Sequence, residues 1–424
     1  MSMILPAICA FAASSSSMLL AVSFQQAVPG PDLPSARRGF TTRLVVERRV
    51  EEQPATPPPE RFKLVRYAAP QGANAAYLSC FEPGDVTRPA IVWLTGGFPA
   101  ARGGADIWRD APPESDQTAR AFLDAGVVLL IPTVRGTAGN PGNQEAYFGE
   151  VDDVLAAARY LKNVVGVDPE RVYLGGHSTG GTLALLVAES TDMFRAVFSF
   201  GPVLELVDYG DRQWPFDVAD AREWRLRSPL HYLNAITSPT FVFEGHGGNR
   251  EDLAKLVEAN DNSRVRPLLL RRDDHFTLLT PIQRLLAAQI VATRRGAFSL
   301  DLDQAKAASI DFWNARREQR DLTKLAELRV AGRRWGDAVI FRATIRARSS
   351  EPMEAVRSVL LAAGFRATAT RKEADARGRA CLRATFARDL AFGSESILSA
   401  ASAIAEAASD EGLIDEGWTA DLAR

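Results

Sequence analysis

Residues 176–180 place a serine between glycines, a pattern that can carry nucleophilic chemistry. The sequence Gly-His-Ser-Thr-Gly directly follows the apolar run 171–175 and precedes the helical run 182–189. Glycines at this spacing permit the tight strand-to-helix turn that lifts a serine hydroxyl clear of a sheet, at a helix N-terminus. Ser178 is therefore the candidate nucleophile, and a Gly-Ser loop without chemistry is the alternative.

A serine hydroxyl is a weak nucleophile at neutral pH and needs a base within hydrogen-bond reach. The chain has four histidines, so the candidates are few. His275 comes just after the last strand-like run, 265–270, and after the serine in chain order, as is usual for this type of turn. We therefore expect His275 to be the general base, with a surface-loop histidine as the alternative.

A third side chain should orient that histidine. It is expected after the apolar run 240–244, where the sequence reads Glu-Gly-His-Gly-Gly-Asn and has no aspartate. Asn249 lies closest to the expected position, although an amide cannot stabilise the imidazolium charge as a carboxylate would. Glu244, Glu251 and Asp252 remain alternatives.

Two backbone N–H groups are candidates for stabilising a developing oxyanion. One belongs to Thr179, which follows the serine at the start of the helix. The other belongs to Gly97 or Phe98 in the Thr-Gly-Gly-Phe run after the third strand-like segment, where glycines allow close approach of the backbone. An ordinary strand-end turn is the alternative for this second loop.

The elements that must position these residues follow an alternating pattern. From Phe62 onward, short apolar runs alternate with helical segments, which is typical of a mainly parallel sheet covered by helices. The predicted strands are 62–68, 75–81, 90–95, 127–132, 171–175, 196–200, 240–244 and 265–270. The first two should form a hairpin, and the clearest helix is 150–162, with apolar residues at helical spacing.

Four segments are predicted along the chain. Residues 1–60 form a leader and a Pro-rich linker, 61–295 the α/β domain, 296–334 a helical connector, and 335–424 a smaller α+β domain. In the last segment the predicted elements follow the order β-α-β-β-α-β, the ferredoxin-like arrangement. They are the strands 338–348, 365–370, 380–387 and 416–422 and the helices 354–363 and 395–408.

Composition excludes several classes of function. The formal net charge is −2 and charged residues are spread throughout, so nucleic-acid binding is not expected. The three cysteines lie far apart, and no phosphate-binding loop or HExxH helix occurs, so no cofactor or metal is expected. The apolar N-terminal stretch is interrupted by serines and has no Lys or Arg before Arg37, which favours a cytoplasmic protein without a membrane span; an exported protein with a signal peptide is the alternative.

The segment 201–227 lies between two predicted strands and should cap the pocket beside the serine. Its aromatic residues are Trp214, Phe216 and Trp224. They either line a substrate pocket or pack this insertion against the body of the domain.

Taken in order, several motifs in 62–295 resemble the prolyl oligopeptidase (S9-type) and dienelactone-hydrolase branch of the α/β-hydrolases. They lie at 91–97, 132–136, 149–154, 167–172, 176–181, 227–230 and 274–276. The resemblance implies hydrolysis of an ester or peptide bond through an acyl-enzyme on Ser178, with a small-molecule ester or a peptide as substrate. Two positions differ from the family pattern: no aspartate follows the seventh strand, and Thr179 stands where the peptidases often have an aromatic residue.

The C-terminal segment resembles the B-type ribonuclease E inhibitor family more faintly, through its element order and its ending Asp-Glu-Gly-Trp at 415–418. This resemblance implies a regulatory module that binds a protein partner, and an accessory domain packed beside the hydrolase is the alternative. For the whole chain, an active serine hydrolase is the main hypothesis. A silent hydrolase-fold scaffold and a regulator acting through the C-terminal domain are the others.

Overall fold

The computed structural model describes residues 32–422 apart from 211, 335, 348–349, 375–379, 392–393 and 411–413. The predicted leader up to residue 31, with Cys9, and the predicted boundary at Trp335 lie outside the described residues. The described chain forms one eight-stranded sheet and one four-stranded sheet. Within it, no helix has both the length and the apolar character needed to cross a bilayer.

The larger sheet is mainly parallel, which confirms the predicted α/β architecture. Its strands are β1 (Phe62–Ala69), β2 (Gly72–Ser79), β3 (Arg88–Leu94), β4 (Val128–Pro132), β5 (Val167–His177), β6 (Val197–Phe200), β7 (Thr240–Gly245) and β8 (Val265–Leu270). Their spatial order is β1-β2-β4-β3-β5-β6-β7-β8. Strands β1 and β2 form the predicted hairpin, and β2 also runs antiparallel to β4. The strands β3 to β8 all run parallel to one another.

Helices cover both faces of this sheet. They are α1 (Leu33–Arg37), α2 (Arg120–Asp124), α3 (Glu150–Lys162), α4 (Thr179–Ala188), α5 (Ala221–Arg225), α6 (Arg250–Ala259) and α7 (Leu279–Ala292). Side chains of β3 alternate between two cores, because successive strand residues point to opposite faces. Val92 joins the core that contains α3 and α4, whereas Trp93 joins the core that contains α2 and α7.

Parallel strands bring their carboxyl ends to one edge of the sheet. The register pairs Leu94 with Gly176, His177 with Phe200, and Gly245 with Leu270. The loops that follow β3, β5, β6, β7 and β8 therefore meet at this edge, where open α/β sheets bind their ligands. Every predicted site residue lies at the end of one of these strands or just beyond it.

Residues 40–53 form an extended arm that is held against the α/β domain, whereas the sequence predicts a linker here. The backbone N–H of Val45 donates to Pro215 O at 2.7 Å, and Gln144 N–H donates to Arg48 O at 2.8 Å. Near the start of the arm, the buried carboxylate of Glu223 accepts from Thr42 Oγ1 and from the backbone N–H of Arg43. These bonds satisfy main-chain groups that a free linker would leave to water.

The C-terminal part has its own core and its own antiparallel sheet. The helix α8 (Leu302–Val330) leads to β9 (Ala338–Ala347), α9 (Ser350–Ala362), β10 (Arg366–Ala374), β11 (Ala380–Ala391), α10 (Ser394–Asp410) and β12 (Ile414–Leu422). This is the predicted β-α-β-β-α-β element order, with strands arranged β10-β11-β9-β12 in space. Phe341 and Trp418 stack in its core with ring centroids 5.4 Å apart.

Candidate active site

Ser178 occupies the sharp turn between β5 and α4 that the sequence predicts. Its backbone has φ 57° and ψ −118°, which a residue with a side chain adopts only when the surrounding structure imposes it. The backbone N–H of Ser178 donates to Phe200 O on the neighbouring strand at 2.7 Å. Helix α4 begins at the next residue, so the serine stands at a helix N-terminus.

Two glycines make this turn sterically possible. A Cβ on Gly176 would lie 2.3 Å from Gly180 O, and a Cβ on Gly180 would lie 2.1 Å from Leu94 O. Both distances are below van der Waals contact and involve backbone atoms, which cannot move aside easily. The glycines of the motif are therefore required by close packing of the turn against β3.

His275 follows β8 and forms a hydrogen-bonded pair with Glu244, a residue of strand β7. The His275 Nδ1 lies 3.1 Å from Glu244 Oε2, and the glutamate side chain is 1% exposed. A carboxylate can only accept, so Nδ1 carries the proton and Nε2 keeps its lone pair. His275 is thus the tautomer that a general base requires, with its proton on Nδ1.

Glu244 accepts hydrogen bonds from two backbone donors. Its Oε1 accepts from Gly245 N–H, and its Oε2 accepts from Asn249 N–H, both at 2.7 Å. A Cβ on Gly248 would lie 2.3 Å from Glu244 Oε1, so a glycine is needed for the loop to wrap around the carboxylate.

His275 lies over the end of β6, beside the serine turn. A Cβ on Gly201 would lie 2.4 Å from His275 Cε1, and the rings of His275 and His177 are 4.6 Å apart between centroids. Among the hydrogen bonds of the described residues, none joins Ser178 Oγ to His275. Such a bond is often long before substrate binds.

The other candidates for the third member do not contact His275. The Asn249 side chain donates from Nδ2 to Gly201 O at 3.0 Å, and only its backbone reaches Glu244. Asp252 accepts from Leu204 N–H through Oδ1, and burial raises its pKa to about 6. Glu251 is exposed. The structure therefore brings the alternative Glu244, and not the first choice Asn249, to the imidazole.

The predicted oxyanion residues lie together beside the serine. A Cβ on Gly96 would be 3.3 Å from Ser178 Cβ, so the loop after β3 lies against the turn. Thr179 Oγ1 donates to Gly97 O at 2.7 Å, which ties this loop to the start of α4. Thr179 is the first residue of its helix, so its backbone N–H has no acceptor within the helix.

His177, which the sequence analysis treats only as the middle of the turn, is a buried part of the site. Its Nε2 lies 2.8 Å from His275 O, and its Nδ1 lies 3.2 Å from the Gln117 side-chain amide. Burial, together with the nearby His275, lowers the pKa of His177 to about 3. No sequence motif reveals this contact, because it joins residues 98 positions apart.

The aromatic residues of segment 201–227 divide between two roles. Trp214 lines a cavity of about 400 Å³ that also contacts Phe98. Phe216 is fully buried, and it packs edge-on against Trp224 at 5.1 Å between ring centroids.

Among the described residues, no group of three His, Cys, Asp or Glu side chains is placed to hold a metal ion.

Comparisons with known proteins agree with this geometry. The model of the prolyl oligopeptidase family matches residues 113–250, which include Ser178 and Glu244. An uncharacterized peptidase, YtmA of Bacillus subtilis (strain 168), is 27% identical over 201 residues, 42% of this chain and 76% of its own.

Solved structures with a similar backbone fold over part of the chain include two peptidases. The acylaminoacyl peptidase of Pyrococcus horikoshii is 14% identical, with a TM-score of 0.44 over 58% of this chain and 44% of its own. A puromycin-hydrolyzing peptidase of Mycobacterium tuberculosis is 17% identical, with a TM-score of 0.45 over 58% of this chain and 42% of its own. This chain thus spans less than half the length of these two solved chains. Residues 113–250 of this chain thus resemble the prolyl oligopeptidase (S9) family, and a stretch of 201 residues is similar to a curated peptidase.

Proposed function

We propose that this protein is a serine hydrolase that cleaves an ester or peptide bond through an acyl-enzyme on Ser178. The Ser178 oxygen attacks the substrate carbonyl carbon while His275 Nε2 takes the hydroxyl proton. Glu244 holds the imidazole by its Nδ1–H and stabilises the positive charge that forms on it. The backbone N–H of Thr179, with that of Gly97 or Phe98, stabilises the oxyanion.

The second half of the reaction uses the same groups. His275 gives its proton to the leaving oxygen or nitrogen, so the bond to the leaving group breaks and the acyl-enzyme remains. A water molecule then loses a proton to His275 and attacks the acyl carbon, after which the proton returns to Ser178 Oγ. Water is the one reactant besides the substrate that these steps consume.

One observation carries the proposal: a buried carboxylate–imidazole pair lies beside a serine held in a strained strand-to-helix turn. The pair is joined at 3.1 Å, and the serine has a positive φ of 57°. A strained backbone at a cavity edge is typical of a functional site, where neighbouring structure over-determines the conformation. The match of residues 113–250 to the prolyl oligopeptidase family adds support.

A fluorophosphonate probe tests this proposal directly, because it reacts with an activated serine. We expect the folded protein to be labelled on Ser178, Ser178→Ala not to be labelled, and hydrolysis of a p-nitrophenyl ester to be lost with it. Ser190→Ala is the matched control, since Ser190 follows the same helix and only donates to Leu186 O. A folded wild-type protein that neither reacts with the probe nor turns over any ester or aminoacyl anilide would favour the silent scaffold instead.

A further inference from the structure

The cavity beside the oxyanion loop has two chemically different parts. Its volume is about 400 Å³, which suits part of a small organic molecule. Its lining includes Arg48, Phe98, Tyr147, Glu150, Arg212 and Trp214. Because Phe98 also belongs to the loop that contacts the serine turn, the cavity lies next to the candidate active site.

One part of the cavity is aromatic. The ring of Phe98 stands edge-on to Tyr147 at 6.3 Å and to Trp214 at 6.0 Å between centroids. Tyr147 and Trp214 are 2% and 7% exposed, so packing fixes both rings. Rings in this arrangement accept an aromatic or other flat apolar group by edge-to-face contact.

The other part carries two exposed guanidinium groups. Arg48 donates from Nη2 to the neutral Gln213 Oε1 at 3.0 Å. Arg212 donates from Nε to Tyr209 O and holds its guanidinium 4.1 Å above the Phe98 ring. Neither arginine has a carboxylate within ion-pair distance among the described residues.

The position of Arg48 is set by the backbone of the arm. Its carbonyl accepts from Gln144 N–H, and two residues earlier Val46 N–H donates to Pro215 O at 3.2 Å. The arm is thus bonded to both walls of the cavity, and Arg48 enters between them. This gives the arm a function that a linker would not have: it supplies a cation to the cavity.

Glu150 is the one carboxyl in this lining. It is 4% exposed, its Oε1 accepts from Glu145 N–H, and burial raises its pKa to about 7. At neutral pH it therefore carries only part of a negative charge. The arginines remain fully charged, so the cavity is positive overall.

We infer that this cavity binds a flat apolar group that bears a carboxylate, with the ring against Phe98 and Trp214 and the carboxylate at Arg48 and Arg212. The inference rests on the proposed function, since it names the acyl group of that hydrolase: an aromatic acid with a second, free carboxylate. Guanidinium groups bind carboxylates through paired N–H donors, and an aromatic contact positions the ring. Neutral analogues leave the two cations without a partner.

Two matched substrates test the inference. One is the p-nitrophenyl ester of para-carboxyphenylpropanoic acid, and the other carries a para-carboxamide in place of the carboxylate. The two esters have the same leaving group and nearly the same shape. We expect kcat/KM to be about tenfold higher for the carboxylate, because two exposed charge contacts each contribute only a modest factor. The preference should fall as ionic strength rises.

Three variants test whether the preference for the carboxylate ester comes from the cavity. Arg48→Gln and Arg212→Gln should each remove most of the ratio of kcat/KM between the carboxylate and carboxamide esters. Arg49→Gln is the matched control, because Arg49 follows Arg48 on the arm and pairs with Glu51 outside the cavity. Equal turnover of the two esters by the wild type, or a preference that survives in both cavity variants, would overturn the inference while the proposed function stands.

A binding measurement separates failure of the inference from failure of the proposed function. Calorimetry on Ser178→Ala, with the primary amides of the two acids as ligands, measures the affinity of the cavity for each amide in the absence of catalysis. Tighter binding of the carboxylate amide, lost in the added Arg48→Gln change, supports the inference even if no ester is hydrolysed. Equal affinity, or no measurable binding of either amide, overturns it.

Discussion

The imidazole Nε2 of His177 lies 2.8 Å from the backbone carbonyl oxygen of His275, the candidate general base. A carbonyl oxygen only accepts, so His177 Nε2 carries the proton and donates. The opposite nitrogen, Nδ1, lies 3.2 Å from Gln117 Oε1. Through this bond the residue before the nucleophile holds the loop that carries the base, which makes His177 a positioning residue.

His177→Leu should lower kcat about tenfold with little change in KM, because the His275 loop loses a fixed hydrogen bond and small displacements of a base are costly. His177→Gln, whose side-chain amide can still donate to the carbonyl, should retain much of the activity. Steady-state kinetics with a p-nitrophenyl ester and the rate of fluorophosphonate labelling measure both. A wild-type kcat in His177→Leu would contradict the positioning role.

The same histidine should affect stability at acidic pH. Its pKa is lowered from the ordinary 6.5 to about 3 by burial, so between these values only the unfolded chain takes up the proton. Stability that the neutral ring provides is therefore present above pH 6.5 and decreases as the pH falls toward 3. His177→Gln removes this group, so its free energy of unfolding should fall less between pH 6.5 and 5, by about 2 kcal/mol.

Urea unfolding at several pH values measures this difference. Other titrating groups, such as the buried Glu150, are present in both proteins and cancel in the comparison. His246→Gln is a useful control, since His246 is farther from full burial and contacts the exposed Arg250. Parallel pH curves for the wild type and His177→Gln would show that His177 does not titrate on unfolding as described.

Glu244 and Asn249 give opposite expectations for the third member of the triad. Glu244→Gln should lower kcat by about three orders of magnitude or more, since the imidazole loses the charge that selects its tautomer and stabilises its protonated form. Asn249→Ala removes an amide that contacts only Gly201 O and should cost about tenfold at most. Kinetics on the two variants, with circular dichroism to confirm folding, decide between them. A larger loss in Asn249→Ala than in Glu244→Gln would return the role to the asparagine.

The elements of the main sheet were predictable because their signal is local. Each buried parallel strand appears as a short apolar run, and the predicted 265–270 coincides with β8. The serine turn was predictable because its glycines are required by close backbone approaches within a few residues. Chain order then singled out His275, which lies at the same edge of the sheet.

The third residue of the triad could not be predicted from the sequence in the same way. Chain order favours Asn249, in the loop after β7, whereas Glu244 lies inside the strand and reaches His275 with a longer side chain. The arm was also missed, since its Pro-rich flanks and polar composition resemble a linker. Its attachment depends on the buried pair of Glu223 and Arg227, far away in sequence, and no local pattern reveals such pairing.

Asp273 links the base loop to the helix that leads to the C-terminal domain. Its Oδ2 accepts from Ser309 Oγ at 2.6 Å, and its Oδ1 accepts from Trp313 Nε1 at 2.9 Å. Both donors lie on α8, and Asp273 precedes His275 by two residues. At its other end α8 holds the small sheet, where Asp321 Oδ1 accepts from Trp418 Nε1 at 2.9 Å.

Removing the two donors on α8 should therefore disturb both stability and catalysis. The double variant Ser309→Ala with Trp313→Phe removes two side-chain donors from the buried Asp273 carboxylate and leaves it with Thr277, which costs about 1–3 kcal/mol of stability. Movement of Asp273 toward water should displace His275 and lower kcat about tenfold, with KM little changed. Arg316→Gln, an exposed change on the same helix that breaks only the contact with Glu114, should alter either quantity very little.

The decisive measurement is rescue. Adding Asp273→Leu to the double variant replaces the carboxylate that has lost these two donors with an apolar group of similar size, which should recover stability, because the penalty comes from the buried charge. It should not restore kcat fully, since the loop is then no longer bonded to α8. Full recovery of both would mean that α8 supports the hydrolase domain only by packing, and a wild-type kcat in the double variant would remove any role for Asp273 in placing the base.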